Sequence, residues 1–302
     1  MKTTETNLTG FINLYKEQNY TSNDCVNIVR GIFDRIKTGH TGTLDPMATG
    51  VLPICLGKAT KLADYVQAEK KTYRTEMRLG QTSDTGDIWG NIRDVSDKIP
   101  QKEEIINAVN SFLGEISQIP PMYSAIKING KRLYELARQG KTAERKPRLI
   151  TIYSISDIAF KDEKTLSFTV VCSKGTYIRT LVTDIGKKLG TGAVMTALER
   201  TQTGGFTKET AVTISELQAL KDKGELAQAV IPVEKALPSY KIYKAVSAAD
   251  AYLKNGNRIS LNYIPDPKPS EGESFLLKNS ENKLIGIFTR KEGFAKPVCM
   301  LI

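Results

Sequence analysis

Hydrophobic and polar positions along this chain fall into a few clear periods, and the periods predict its elements. Residues 11–15, FINLY, form a short apolar run that reads as a strand. Thr21-Ser22-Asn23-Asp24 follows, a cluster of helix-start residues. Cys25, Val29, Ile32 and Ile36 then recur at helical spacing, with Val26 and Phe33 beside them. This predicts a helix running to about Lys37. Residues 39–53, GHTGTLDPMATGVLP, hold three glycines and two prolines and are predicted as loop.

Residues 72–79 alternate: Tyr73, Thr75, Met77 and Leu79 share one face, and Arg74, Glu76 and Arg78 the other. Gly80 to Gly90 is polar and predicted as a connecting loop. Ile105, Val109 and Phe112 mark a helix over 102–113. Leu166, Phe168, Val170 and Cys172 alternate as a strand. A helix follows Ser173-Lys174-Gly175, its stripe Ile178, Leu181, Val182, Ile185 and Leu189. Thr213 and Glu216 fit a capping box.

Near Pro238 the pattern changes. A short helix (Ala245 to Lys254), an Asn255-Gly256 turn and a Pro-rich loop (Pro265, Pro267, Pro269) come first. Three short apolar runs follow, 275–277, 284–288 and 298–302, the signature of a small β-rich domain.

Charge changes this picture most. Lys and Arg number 43 against 33 Asp and Glu, a net charge of +10. A polyanion is the expected partner, nucleic acid foremost and an anionic membrane surface as the rival. Residues 121–150 carry eight Lys/Arg (127, 131, 132, 138, 141, 145, 146, 148) against Glu135 and Glu144. Read plainly, this is a solvated basic loop; its charge density favours a phosphate-contacting arm.

Composition limits the chemistry. The chain has 302 residues, 40% hydrophobic and 25% charged, which reads as globular. Its cysteines (25, 55, 172, 299) form no CxxC pair and there is one histidine, so no zinc site is expected. Isolated cysteines suggest a reducing compartment, and Cys25 and Cys172 fall on apolar stripes. Met1 to Leu8 is polar without an apolar segment, and no run of 18 apolar residues appears. A cytoplasmic location without membrane association is expected.

Asp45 lies between a Gly-rich run and Pro46, where an Asp ordinarily caps a helix begun by proline. Its surroundings point elsewhere. Residues 39–53 resemble the catalytic motif of TruB-type pseudouridine synthases. Lys71-Thr72-Tyr73 resembles the family's second motif, and 118–127 with Gly130, Arg132, Tyr134, Ala137, Arg138 and Gly140 its basic insertion. Residues 172–181 resemble its third motif, and Leu198 and Arg200 a later pair. Four motifs occur in order over about residues 10–205. One departure stands out: the family's Lys-Pro-x-Gly is here Lys16-Glu17-Gln18-Asn19, so a differently shaped loop is expected.

The resemblance implies an α/β (α+β) chain in two domains. Residues 1–239 would take the pseudouridine synthase fold, a mixed, largely antiparallel sheet with a central cleft. Residues 240–302 would be a PUA-like RNA-binding domain. It implies isomerisation of uridine-55 in the TΨC loop of tRNA, by base flipping and carboxylate catalysis, with no metal or organic cofactor. Asp45 would be the carboxylate, as nucleophile or base, with Tyr73 and Arg179 as further catalytic residues close by. Read without the family, Tyr73 is a core aromatic and Arg179 a solvated residue off its helix stripe.

His40, Tyr177, Leu198, Lys71, Lys127, Lys131, Arg132 and Arg138 would bind substrate, His40 by holding the RNA loop open. A lone histidine is otherwise more often structural, and Leu198 fits plain core packing equally. The arm would clamp the tRNA T-arm, and the chain would act as a monomer without guide RNA or protein partner. Two alternatives stand: a tRNA-binding or folding factor without chemistry, and the catalytic subunit of a guide-RNA ribonucleoprotein.

Overall fold

A computed structural model describes residues 8–128 and 130–302. The polar start of the chain, apart from Leu8, and Asn129 of the arm lie outside the described residues. The chain divides into two compact units. The first comprises the chain up to Pro46, Gly50–Glu69 and Thr203–Ile302; the second comprises Met47–Thr49 and Lys70–Gln202. The fold is mixed α/β.

In the first unit, strand Gly10–Lys16 runs antiparallel to Thr49–Leu56, pairing from Gly10 with Leu56 to Lys16 with Gly50. Thr38–His40 pairs with the same strand through Leu56, Cys55 and Ile54. Residues 39–53 are therefore not all loop, as their glycines and prolines suggest. Gly50–Leu56 is buried throughout, so it shows no alternation.

Helix Ser22–Ile32 starts in a two-way capping box, Thr21 with Asp24. It stops short of Lys37 because Asp34 and Arg35 take left-handed φ values of 49° and 66°. Lys221 donates to the carbonyls of Gly31 and Ile32, satisfying that helix end. The capping box at Thr213 and Glu216 starts helix Ile214–Asp222.

The C-terminal sheet runs Ile242–Lys244, Ser274–Lys278, Leu284–Lys291, Phe294–Met300 and Ile259–Ser260 in spatial order. Only its first pair is parallel; the others are antiparallel. Phe275, Leu277 and Phe288 face a core with Ala249, Leu253 and Ile259. Leu276, Ile287 and Leu301 pack instead with Phe11, Val51, Leu62 and Val66. The expected helix from Ala245 is a 3₁₀ turn at Ser247–Ala249 followed by Asp250–Lys254.

In the second unit, strand Lys71–Leu79 pairs antiparallel with Thr165–Cys172, which pairs with Arg148–Phe160, which pairs with Gly114–Gln118. Ala193–Thr203 flanks Lys71–Leu79. The alternation over 72–79 is present as predicted: Tyr73, Thr75, Met77 and Leu79 are buried. Helix Ile178–Leu189 buries Ile178, Leu181, Val182 and Ile185, and Gly190 closes it at φ 71°. Helix Lys102–Asn110 is three residues shorter than predicted. Gly80 to Gly90 is not all loop, since Gln81–Ser83 pairs with Ile92–Asp94.

Candidate active site

Asp45 sits between strands Thr38–His40 and Thr49–Leu56. No helix follows Pro46, so Asp45 is not a helix cap. The residues on either side of it are held firmly. The Ser22 hydroxyl accepts from Leu44 N–H at 2.8 Å and donates to the Leu44 carbonyl at 3.0 Å. The Pro46 carbonyl accepts from Asn19 N–H and from the Lys16 ammonium, each at 3.0 Å. Lys16 is fully buried and also donates to the carbonyls of Glu17 and Tyr20. A buried ammonium is tolerated only with its donors satisfied, and three carbonyls do so here.

The loop at which the family likeness fails closes through Asn19, which adopts φ 70°. Asparagine is among the few residues besides glycine that enter this region readily. His40 ends its short strand, and its Nδ1 accepts from Gly42 N–H at 3.2 Å.

Tyr73 is 7% exposed and pairs across the sheet with Val170. Lys71, also buried, pairs with Cys172. Neighbouring Thr75 donates from its hydroxyl to the Ala197 carbonyl at 3.0 Å, one residue before Leu198. Leu198 is only half-buried.

Arg179 is 5% exposed, which sets aside the reading as a solvated residue. Its guanidinium donates to the carbonyls of Thr85 at 2.9 Å and Tyr123 at 2.8 Å. Its Nε lies 3.7 Å from the Asp87 carboxylate. Asp87 is itself held by the Thr85 hydroxyl at 2.6 Å and Trp89 N–H at 3.2 Å. Tyr177, the residue before this helix, is held at both backbone groups by buried Gln118. Tyr177 N–H donates to Oε1 at 2.8 Å, and Nε2 donates to the Tyr177 carbonyl at 3.1 Å.

The basic segment is a small hairpin, Lys127–Ile128 with Lys131–Arg132, leading into helix Leu133–Arg138. Buried Leu133 anchors it. Lys127, Lys131, Arg132 and Arg138 are exposed. Arg132 and Arg138 both approach the Tyr134 ring, at 5.8 and 5.5 Å, and Arg132 also donates to the Tyr134 hydroxyl. Charge is thereby presented from one aromatic post.

Burial pushes the thiols of Cys25 and Cys172 up to about 11 and that of Cys55 up to about 12. They stay protonated near neutral pH, so none is an activated nucleophile. Among the described residues, no group of three or more His, Cys, Asp or Glu is placed to hold a metal ion. No described helix is long and apolar enough to cross a membrane.

Two family models match in succession. Residues 30–178 match the N-terminal domain of the TruB family pseudouridylate synthases, and 179–238 match the tRNA pseudouridylate synthase B C-terminal domain. A protein of Clostridium perfringens called tRNA pseudouridine synthase B is 46% identical over 289 residues, spanning 95% of this chain and 97% of its own. This chain belongs to the TruB family. It is an enzyme, a pseudouridine synthase, and hence an isomerase.

A Clostridium tetani TruB protein of the same name is 46% identical over 290 residues, spanning 95% of this chain and 98% of its own. The fold matches a chain of a Cbf5-Nop10-Gar1 complex with a TM-score of 0.77 and 27% identity, covering 97% of this chain and 85% of that one. From sequence, the motif residues Asp45, Tyr73 and Arg179 stand out in named roles; Gln118, Lys16 and Ser22 appear only as members of a motif, a departure and a helix start, and Asp87 not at all. Their partners lie up to 59 residues away in sequence for Gln118 and 30 for Lys16, and no local pattern marks such pairings.

Proposed function

We propose that this chain converts uridine-55 in the TΨC loop of tRNA to pseudouridine, acting alone. The observation that carries this reading is the 46% identity, over nearly the whole of both chains, to the Clostridium perfringens protein called tRNA pseudouridine synthase B. The reaction breaks the N1–C1′ bond, turns the uracil and rejoins it through C5, so nothing is oxidised and no group is imported. Asp45 supplies the carboxylate that meets the sugar carbon, as nucleophile or base. Arg179, as in the family's third motif, supplies the cation of this site. Tyr73 offers a face to the extruded base. His40, Tyr177, Leu198 and Lys71 take up the RNA around it.

Lys127, Lys131, Arg132 and Arg138 contact phosphates of the T-arm, where neutralised charge dominates RNA affinity. Residues 1–239 form the catalytic domain and 240–302 a PUA-like RNA-binding domain in this reading. The latter segment carries ten Lys/Arg against six Asp/Glu. Lower identity to the Cbf5 chain, 27% against 46%, supports an enzyme without guide RNA or protein partners. The proposed location is the cytoplasm, where tRNA is modified.

Tritium release from tRNA labelled at uracil C5 tests this with purified protein alone. Release from wild-type tRNA and none from tRNA with uridine-55 replaced is the expected result. Tight tRNA binding without release would favour the binding-factor reading or a missing guide.

A further inference from the structure

Two of the candidate catalytic residues, Asp45 and Arg179, are approached by the same device. In each case a buried polar side chain takes hold of both backbone groups of a nearby residue. Ser22, 1% exposed, accepts from Leu44 N–H at 2.8 Å and donates to Leu44 C=O at 3.0 Å. Leu44 directly precedes Asp45. Gln118, 2% exposed, accepts from Tyr177 N–H at 2.8 Å and donates to Tyr177 C=O at 3.1 Å. Tyr177 lies two residues before Arg179.

A reciprocal pair of bonds does more than satisfy two polar groups. The N–H and C=O of one residue belong to successive peptide planes, so a bond to each ties both planes and fixes the φ and ψ between them. Gripping Leu44 therefore sets the direction in which the chain enters Asp45, and gripping Tyr177 sets the direction in which it enters helix Ile178–Leu189. Both grips start from rigid elements. Ser22 is the first residue of helix Ser22–Ile32, which the Thr21–Asp24 capping box holds in place. Gln118 ends strand Gly114–Gln118 and is paired there with Arg148. Only one orientation of the Gln118 amide makes both bonds, so that side chain is itself fixed.

We propose that Ser22 and Gln118 are positioning residues of the active site, Ser22 for Asp45 and Gln118 for Arg179. Neither touches the reacting atoms; each sets the aim of a residue that does. The proposal rests on the roles given above to Asp45 and Arg179. Its signature is a loss in turnover larger than the loss in substrate affinity, because the phosphate contacts of the basic arm, which dominate that affinity, are untouched even where Tyr177 shifts.

Single-turnover tritium release and tRNA affinity are measured for Ser22→Ala and Gln118→Ala. Two controls remove packing while leaving the clamps whole: Val29→Ala, on the helix that carries Ser22, and Ile150→Ala, on the strand paired with that of Gln118. The single-turnover rate is expected to fall about 10- to 100-fold in each clamp variant, with the Kd for tRNA changed less than about threefold. The controls lower the unfolding temperature and leave turnover at the wild-type value. Ser22→Thr, which keeps the hydroxyl, recovers turnover. Gln118→Glu, which keeps the acceptor and loses the donor, falls between.

Wild-type turnover in a clamp variant, beside inactive Asp45→Asn and Arg179→Ala, overturns that clamp. The clamp is equally overturned if the packing controls lose as much turnover as the clamp variants, or if Ser22→Thr stays as slow as Ser22→Ala. An active Asp45→Asn overturns something different, the role given to Asp45 itself.

Discussion

The loop that carries Asp45 and the basic arm over 121–150 are both irregular, and they are built on opposite plans. Around Asp45 the chain is tied from outside the loop: Ser22 to Leu44, and Lys16 with Asn19 to Pro46. Thr41, Leu44 and Ala48 are buried beside it. The arm is tied mostly to itself. Its hairpin is two residue pairs long, and Leu133 and Tyr134 bond back to Ile126 and Ser124. Of its eight basic residues, all but Arg145 are exposed. One region spends its bonds on the aim of a single carboxylate; the other holds charge in the solvent. Turnover should therefore be sensitive to small changes near the loop, and RNA affinity to charge on the arm.

The comparison breaks most visibly at Asp45. Asp45→Asn is expected to abolish tritium release while tRNA binding survives. Retained release would show that the tethered loop is tethered for some other purpose. Next in size is Lys16→Met. This change leaves the carbonyls of Glu17, Tyr20 and Pro46, all on exposed residues, without their ammonium donor, though Pro46 keeps the bond from Asn19. A stability loss of about 1–2 kcal/mol is expected, measured by denaturant unfolding. A loss under about 0.5 kcal/mol would mean that water serves these carbonyls equally well.

On the arm the same measurements should give the reverse pattern. Changing Lys131, Arg132 and Arg138 together to Gln should leave stability within about 0.5 kcal/mol per site, since these are surface positions. Affinity for tRNA should drop. The slope of log affinity against log salt should flatten by about 0.7–0.9 for each phosphate that the arm no longer neutralises. A slope unchanged from wild type would remove the arm from the RNA-binding surface.

This contrast also explains what could be read from sequence. Elements with one buried face were legible: the alternation of Tyr73 to Leu79, and the stripe of helix Ile178–Leu189. Caps were legible because Thr21–Asp24 and Thr213–Glu216 act over three residues. Strand Thr49–Leu56 was not, because it is buried on both faces and contains Pro53, which ordinarily argues against a strand. Strand Arg148–Phe160 was not, because register shifts near Ile152 and Ser156 break its alternation. The charge of the arm is visible directly in composition. The tethers of the Asp45 loop are not, because a serine at a helix start and a lysine at a strand end look ordinary until the fold supplies their partners.

The smallest expected effect tests the finest detail of the tether. Asn19 has φ 70° and its N–H reaches the Pro46 carbonyl at 3.0 Å. It stands where the resembling family has glycine, and its side chain is exposed, so its value lies in the backbone shape it permits. Asn19→Ala places a side chain with no local hydrogen bonding in the left-handed region and should cost about 1 kcal/mol. Asn19→Gly keeps the shape and should differ from wild type by only a few tenths of a kcal/mol, glycine's extra freedom in the unfolded chain offsetting its ease in the turn. Turnover should follow the same order, with Asn19→Gly at the wild-type rate and Asn19→Ala slower by a small factor. If alanine and glycine behave alike in both stability and turnover, the left-handed turn is incidental. Lys16 and Ser22 would then hold the Asp45 loop without it.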